Sequence, residues 1–259
     1  MTHTSRKTIP YDEIFAAQSP ALCDAGQERL REARVHTVGA GRAGGALNFF
    51  LAGAGVGALS SNDPQAVEPD NLNTFAFSSA DIGAKKVKAL KHRMALRENS
   101  TFRWLALPIQ ADEVDAFIQA ADLVICCANT VPGRLVTEEK AIRYGKPMMQ
   151  VAAFDGRDCL GGLISVRLLE NSWSACAGCY LDPNRNWSPA GTLLSTVTSA
   201  LAALAANMAV AILSGVHTQV FREKNLFYVD LETYAIEALA VQKRDGCPLC
   251  GKSTEMSND

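Results

Sequence analysis

The clearest chemistry in this sequence comes from two Cys-x-x-Cys pairs, Cys176–Cys179 and Cys247–Cys250. Each pair places two thiols on one tight turn, and a protein-bound tetrahedral zinc ion typically takes two such turns. A redox dithiol is the alternative for a single pair, but two pairs favour a metal. Because four thiolates leave no open position for a substrate, we predict a structural zinc site with these four ligands.

A glycine-rich loop at Gly39, Gly41 and Gly44 is the second candidate site. In such a loop the first glycine permits a tight turn, the second lets the backbone approach phosphate, and the third lets the next helix pack on the strand. The amides at the start of that helix would face the anion. Asp63, about 20 residues further on, ends a second predicted strand and could bind a ribose hydroxyl. The loop predicts nucleotide binding; close packing alone is the other explanation for its glycines.

Alternating strand and helix patterns predict the elements that position these residues. The predicted strands lie at 34–39, 57–62, 102–108, 122–128 and 147–153, and the predicted helices at 26–33, 43–55, 84–97, 113–120 and 136–144. This alternation predicts an α/β fold with a doubly wound, Rossmann-like, mostly parallel sheet. Beyond Phe154 the pattern changes, and the runs 161–169 and 225–232 indicate added strands that flank a long Ala-rich helix.

The composition is typical of a globular protein with a sizeable core, since 48% of the 259 residues are apolar and 20% are charged. The net charge of −2 gives no basic excess that would indicate a nucleic-acid partner. The uncharged segment 192–213 is long enough to span a bilayer, but its Ser and Thr content and Asn207 favour a buried core helix. We therefore expect neither nucleic acid nor membrane as a partner.

The N-terminal segment has no apolar signal-peptide core. Eight cysteines without a secretory signal indicate a reducing compartment, and we expect a cytoplasmic protein. The length fits one large α/β domain or two small ones. We predict a single domain over 1–259, with a nucleotide-binding half at about 26–154. The half at about 155–259 would bind zinc.

The sequence resembles the ThiF/MoeB/HesA family, the bacterial relatives of ubiquitin-activating enzymes, from about Gly26 to Gly251. Segments 26–45 and 51–63 are similar to the family's first two strands and its glycine loop. Segment 68–90 is similar to its diagnostic stretch, with Asn71, the Asp81-Ile-Gly83 run and Lys86 in order. The run 161–166, the two cysteine pairs and the long helix after the first of them also fit.

What the resemblance implies is an enzyme that binds ATP with magnesium and adenylates a C-terminal glycine carboxylate, releasing pyrophosphate. The acceptor would be a ubiquitin-like or sulfur-carrier protein that ends in Gly-Gly. By position, Gly39, Gly41 and Gly44 would cradle the nucleotide, Asp63 would hold the ribose, and Asn71 and Lys86 would face the phosphates. Family members are usually homodimers, or heterodimers in which one half is degenerate. The resemblance implies that the half at about 155–259 also contacts the second subunit and the carrier protein.

The sequence departs from the family at several charged positions. Thr74 stands where an arginine is usual, Gln65 replaces a second aspartate, and Asn129 replaces the aspartate that usually serves magnesium. A neutral amide is a poor magnesium ligand, which puts protein-held magnesium in doubt. The N-terminal arginine that is normally donated across the dimer has no match. Arg42, inside the glycine loop, and Arg185 are candidate replacements, with Arg42 and Lys86 as candidate catalytic residues.

Three functions therefore remain open from the sequence. The first is an ATP-dependent adenylyltransferase with unusual site residues. The second is a non-catalytic subunit that binds a ubiquitin-like protein or supports an active paralogue. The third is a nicotinamide-dependent oxidoreductase, for which Asp63 is the single argument. The stretch between Tyr180 and Gly191 has no cysteine, so a covalent thioester step within this chain is not expected.

Overall fold

The structure is a computed structural model that describes residues 9–95, 97, 99–154, 160–182 and 193–251. Its centre is an eight-stranded sheet in the order β3-β2-β1-β4-β5-β6-β7-β8. The strands are β1 (Arg34–Val38), β2 (Ala58–Asn62), β3 (Thr101–Leu105), β4 (Leu123–Cys126), β5 (Met148–Ala153), β6 (Gly161–Arg167), β7 (Leu226–Asp230) and β8 (Ala235–Leu239). Pairings among β1–β5 are parallel, and those from β5 to β8 are antiparallel. The predicted sheet with added C-terminal strands is confirmed.

Eight α-helices are described around this sheet. They are α1 (Tyr11–Phe15), α2 (Ser19–Glu32), α3 (Arg42–Gly53), α4 (Lys86–Met94), α5 (Asp115–Ala120), α6 (Val131–Arg143), α7 (Ala177–Tyr180) and α8 (Ser195–Ser214). Short 3-10 turns lie at Pro69–Asn73, Ser79–Asp81, Asp112–Val114 and Gln219–Arg222.

Both faces of the sheet are buried because successive side chains of a strand point to opposite sides. Val35 of β1 belongs to the large core formed with α2, α3, α4 and α8. Val38 of the same strand belongs to a smaller core formed with α5 and α6. The four residues of β4 are all buried, as expected for a central parallel strand with helices on both faces.

Helix α8 packs against α3, α2 and the strands β5 and β6. Its side chains Leu201, Ala202 and Ala205 are almost fully buried, whereas Ala203 and Asn207 are exposed. By length and composition it is the one described helix apolar enough to cross a membrane. Its packing confirms the predicted core helix.

Some element boundaries differ from the predictions for local reasons. Helix α2 begins at Ser19, where Pro20 is compatible with a first helical turn, and it is kinked at Cys23, whose φ of 54° is not helical. The predicted helix corresponds to the part after this kink. Helix α6 begins at Val131 because the Thr130 hydroxyl accepts a hydrogen bond from the Gly133 amide. Strand β8 was not predicted, since its exposed Ala and Glu residues have low strand propensity.

Candidate functional site

The glycine loop joins the carboxyl end of β1 to the start of α3. Gly39 has a φ of +93°, which favours glycine, and its amide donates to the Asn62 carbonyl oxygen at 2.9 Å. A Cβ atom at position 44 would lie 1.9 Å from the Gly39 carbonyl oxygen, so α3 can approach the loop only with glycine there. A Cβ atom at Gly41 would meet no atom within 4 Å. The three glycines thus fit a turn, an open cradle and a close helix contact.

Asp63 connects the second strand to this loop. Its side chain is buried, and its Oδ2 atom accepts the Ala40 amide at 2.8 Å. Its Oδ1 atom accepts the Gln65 amide, also at 2.8 Å. Each carboxylate oxygen has a further lone pair that could accept a ribose hydroxyl. The predicted ribose anchor therefore also holds the glycine loop in place.

Lys86 extends the network from Asp63 to the start of α4. The side chain is 7% exposed, and its Nζ atom donates to Gln65 Oε1 at 2.9 Å. The Lys86 amide also donates to the Gln65 carbonyl oxygen at 2.9 Å. No carboxylate among the described residues forms an ion pair with this ammonium group. A buried cation beside a neutral amide is a favourable place for an anion.

Asn71 lies in the 3-10 turn Pro69–Asn73, where its amide group completes a capping box. Its Oδ1 atom accepts the Glu68 amide at 3.0 Å, and its Nδ2 atom donates to Asp70 Oδ1 at 2.9 Å. In this structure the side chain therefore holds the turn together. Because an amide nitrogen carries two hydrogens, Nδ2 could donate its second hydrogen to a phosphate while it keeps its bond to Asp70.

Arg42 is the first residue of α3 and is held by the same 3-10 turn. Its Nη2 atom forms an ion pair with Asp70 Oδ2 at 2.9 Å, and its Nε atom donates to Asn73 Oδ1 at 3.3 Å. Sequence reasoning missed Asp70, although it directly precedes Asn71 in the diagnostic stretch. The pair ties the glycine loop to the segment that carries Asn71.

The remaining predicted positions lie around this network or outside the described part of the chain. Thr74 is partly buried and donates to the Asn71 carbonyl oxygen at 3.1 Å. Asn129 is exposed in the segment after β4. Arg185 and most of the segment between Tyr180 and Gly191 lie outside the described residues, so the predictions made for them stay predictions.

The four predicted metal-binding cysteines come together, with all sulfur atoms within 4.8 Å of one another. Cys176 Sγ lies 3.9 Å from Cys179 Sγ and 3.6 Å from Cys247 Sγ, and Cys179 Sγ lies 3.5 Å from Cys250 Sγ. Ligands at about 2.3 Å from a tetrahedral zinc ion are separated by about 3.8 Å, whereas a disulfide would need about 2.05 Å. The four thiols therefore fit a tetrahedral metal site.

The thiols of the cluster differ in how readily they form the thiolate that a metal requires. Burial raises the pKa of Cys176, and it raises the pKa of Cys250 to about 11. Burial raises the pKa of Cys247, but hydrogen bonds from the amides of Cys250 and Leu249 outweigh it and lower that pKa to about 7. The Arg244 amide lies 3.4 Å from Cys179 Sγ and donates to it. Close packing also matters, since a Cβ atom at Gly251 would lie 2.7 Å from Cys247 backbone atoms.

Glu138 of α6 is a buried carboxylate that sequence reasoning missed. Its Oε1 atom accepts Arg167 Nε at 2.5 Å, and its Oε2 atom accepts the Ala177 amide and Gln150 Nε2, both at 3.3 Å. Ala177 directly follows the first cysteine of the cluster. Glu138 thus joins the cysteine turn to the sheet, and no local pattern in the sequence marks it.

His36 belongs to the sheet rather than to the hydrogen-bond network around the glycine loop. The ring is fully buried in β1, with Nδ1 2.9 Å from Ser60 Oγ and Nε2 3.1 Å from Asn62 Oδ1. Burial lowers the pKa of this imidazole to about 4, despite the opposing hydrogen bond to Asn62. The group is neutral at pH 7, and both ring nitrogens are occupied.

Comparison with known families gives one match, and it covers most of the chain. The model of the ThiF family matches residues 15–249. Among curated proteins, HesA of the heterocyst of Trichormus variabilis is 26% identical over 90% of this chain and 85% of its own length. The sulfur carrier protein ThiS adenylyltransferase of Escherichia coli K12 is 28% identical over 88% of this chain and 90% of its own length.

Solved structures share the fold at lower sequence identity. The crystal structure of MccB from E. coli superposes with a TM-score of 0.77 at 17% identity, covering 93% of this chain and 73% of that chain. Its complex with ATP superposes with a TM-score of 0.73 at 19% identity, covering 96% and 75% respectively. These likenesses show that the chain shares the overall fold of those structures.

Proposed function

Because the chain belongs to the ThiF family, we propose that it is an ATP-dependent adenylyltransferase that activates a C-terminal carboxylate. The acceptor would be a ubiquitin-like protein, a sulfur-carrier protein or a peptide. Two similar proteins support this, one named an adenylyltransferase of the carrier ThiS and one crystallised with ATP. The observation that carries the proposal is the buried ammonium group of Lys86, linked through Gln65 and Asp63 to the glycine loop.

ATP would lie at the carboxyl ends of β1 and β2, where Asp63 and the glycine loop meet. Helix α3 begins at this loop, and the first amides of a helix have no partner within it. These amides and the positive end of the helix dipole favour phosphate. Asp63 would accept the ribose hydroxyls, and Lys86 would pair with the phosphates as a point charge.

In the proposed reaction, a carboxylate oxygen of the acceptor attacks the α-phosphorus of ATP. The bond from that phosphorus to the oxygen that bridges to the β-phosphate breaks, and pyrophosphate leaves an acyl-adenylate behind. Negative charge develops on the pyrophosphate, so a fixed cation beside it lowers the barrier. Lys86 is already fixed by its burial, whereas Arg42 would first have to release Asp70.

The cysteine cluster supplies stability rather than chemistry in this proposal. Four thiolates suit zinc, and a site filled by four protein ligands has no position for a substrate. Zinc would join α7 to the segment around Cys247, and so hold the C-terminal part of the fold. A carrier protein and a second copy or paralogue of the chain are the proposed partners in the cytoplasm.

A non-catalytic subunit is the second candidate, and the neutral side chains favour it. Gln65, Thr74 and Asn129 stand where charged groups are expected from the resemblance. Removing one well-placed group that stabilises a transition state typically costs about 100- to 1000-fold in rate. Such a chain could bind a ubiquitin-like protein and support an active paralogue without reacting itself.

ATP–pyrophosphate exchange separates the two candidates. Purified protein is mixed with ATP, labelled pyrophosphate and a small sulfur-carrier protein that ends in Gly-Gly. The control is the same carrier with a C-terminal amide, which lacks the attacking oxygen anion. We expect exchange with the free carboxylate alone, and a loss of about 100-fold or more in Lys86→Met. Carrier binding without exchange, in the presence of tight ATP binding, would support the non-catalytic subunit.

A further inference from the structure

The donor set around the proposed nucleotide site fits magnesium poorly. A hard divalent cation prefers carboxylate oxygens, and the two positions where the resemblance expects them hold the amides Gln65 and Asn129. The Gln65 oxygen is already the acceptor for Lys86. A cation on the remaining lone pair of that oxygen would lie beside the Lys86 ammonium group and be repelled by it.

The described carboxylates nearest this network are also occupied. Both oxygens of Asp63 accept backbone amides. Asp70 accepts Arg42 on one oxygen and Asn71 on the other. Glu68 accepts the amide of Asn71 in the capping box. The lone pairs left on Asp63 are those assigned to the ribose hydroxyls, and the charge of Asp70 is already neutralised by Arg42. A cation bound directly to either carboxylate would therefore compete with a contact that shapes the site.

Lys86 supplies the positive charge that such a site would otherwise take from a metal. Lys86 is a buried residue, and Gln65, the partner of its ammonium group, is neutral. An uncompensated charge in a buried position is unfavourable, and an incoming anion relieves that cost. An aspartate at position 65 would neutralise the lysine in advance and weaken its attraction for phosphate.

We infer that this chain binds ATP without a divalent cation held by the protein, with Lys86 neutralising the phosphates in its place. The inference rests on the proposed nucleotide site. It identifies the ligand as the metal-free nucleotide, which carries more negative charge than its magnesium complex. Gln65 is then a specificity-determining residue, because its neutrality leaves the lysine charge available.

Titration calorimetry of the full chain with ATP tests this directly. One titration contains EDTA and the other contains magnesium in excess of ATP. We expect the dissociation constant in EDTA to equal that in magnesium within about threefold, or to be lower. Binding that is tenfold or more tighter with magnesium would overturn the inference and leave the proposed function intact. An absence of binding in both media would overturn the nucleotide site itself.

A matched pair of variants isolates the charge at position 65. The side chains introduced by Gln65→Asp and Gln65→Asn have nearly the same size, and only the first places a carboxylate beside Lys86. In EDTA we expect ATP to bind the Asp variant about tenfold or more weakly than the Asn variant, with magnesium reducing the difference. Equal affinities in EDTA would contradict the role assigned to Lys86.

Lys86→Met should lose metal-free binding, whereas Lys88→Met, on the exposed side of α4, should retain it.

Discussion

At the scale of single residues, His36 makes stability depend on pH in a range where few other groups titrate. The folded protein holds its pKa at about 4, whereas the unfolded chain has the ordinary value of 6.5. Between pH 4 and pH 6.5, this imidazole binds a proton in the unfolded chain but stays neutral in the folded protein. The stabilisation is therefore complete above pH 6.5 and is lost as the pH falls toward 4.

We expect the free energy of unfolding to fall by about 2 kcal/mol between pH 7.5 and pH 5. Urea unfolding at the two pH values measures this. His36→Gln can keep hydrogen bonds to Ser60 and Asn62 and does not titrate, so its pH slope should be smaller by that amount. The aspartates with lowered pKa, Asp81 and Asp115, act below 3.8 and do not contribute in this window. Equal slopes for the two proteins would contradict the role of His36.

At the scale of elements, two glycines where the loop meets α3 are expected to have different roles. Gly44 serves the packing of the helix, and Gly41 serves nucleotide binding. Gly44→Ala would force the helix away from the Gly39 carbonyl, and we expect a loss of about 1–3 kcal/mol in unfolding free energy together with a loss of ATP binding. Gly41→Ala has room for its methyl group, so its stability should change by less than about 0.5 kcal/mol.

The two variants should differ because only Gly41 borders open space at the loop. A methyl group there enters the proposed phosphate cradle, and we expect ATP affinity to fall about tenfold or more while the fold is retained. Urea unfolding and calorimetry on both variants give the two quantities. Normal ATP affinity in Gly41→Ala would show that the loop does not contact the nucleotide.

Elements also show how far the sequence could predict this structure. Apolar periodicity reports which side chains are buried, so β1–β5, α3 and the sheet class followed from it. Apolar periodicity does not indicate which pairs of buried polar side chains form hydrogen bonds with each other. The contact between Gln65 and Lys86, and the contacts of Glu138 with Arg167 and Ala177, join segments that are distant in sequence. These contacts depend on the relative placement of whole elements, which no local pattern specifies.

At the scale of the whole molecule, the cysteine cluster closes the C-terminal part of the fold. We expect Cys250→Ser to lose bound zinc and to lower the free energy of unfolding by about 4 kcal/mol when free zinc exceeds its dissociation constant a thousandfold. Zinc content by atomic emission and urea unfolding with and without chelator are the measurements. Cys23→Ser, at an exposed cysteine away from the cluster, is the matched control. Unchanged zinc in Cys250→Ser would contradict the four-cysteine site.

The separation of the two cysteine turns also has a consequence during synthesis. Cys247 is made 71 residues after Cys176. At a translation rate of about 5–20 residues per second, the second cysteine turn is synthesised roughly 4–14 seconds after the first. During that interval Cys176 and Cys179 are a lone dithiol, which an oxidant could convert to a disulfide that no longer binds metal. Binding of the proposed zinc ion would thus be a late event after synthesis of each chain, and its yield would depend on how reducing the cell remains during translation.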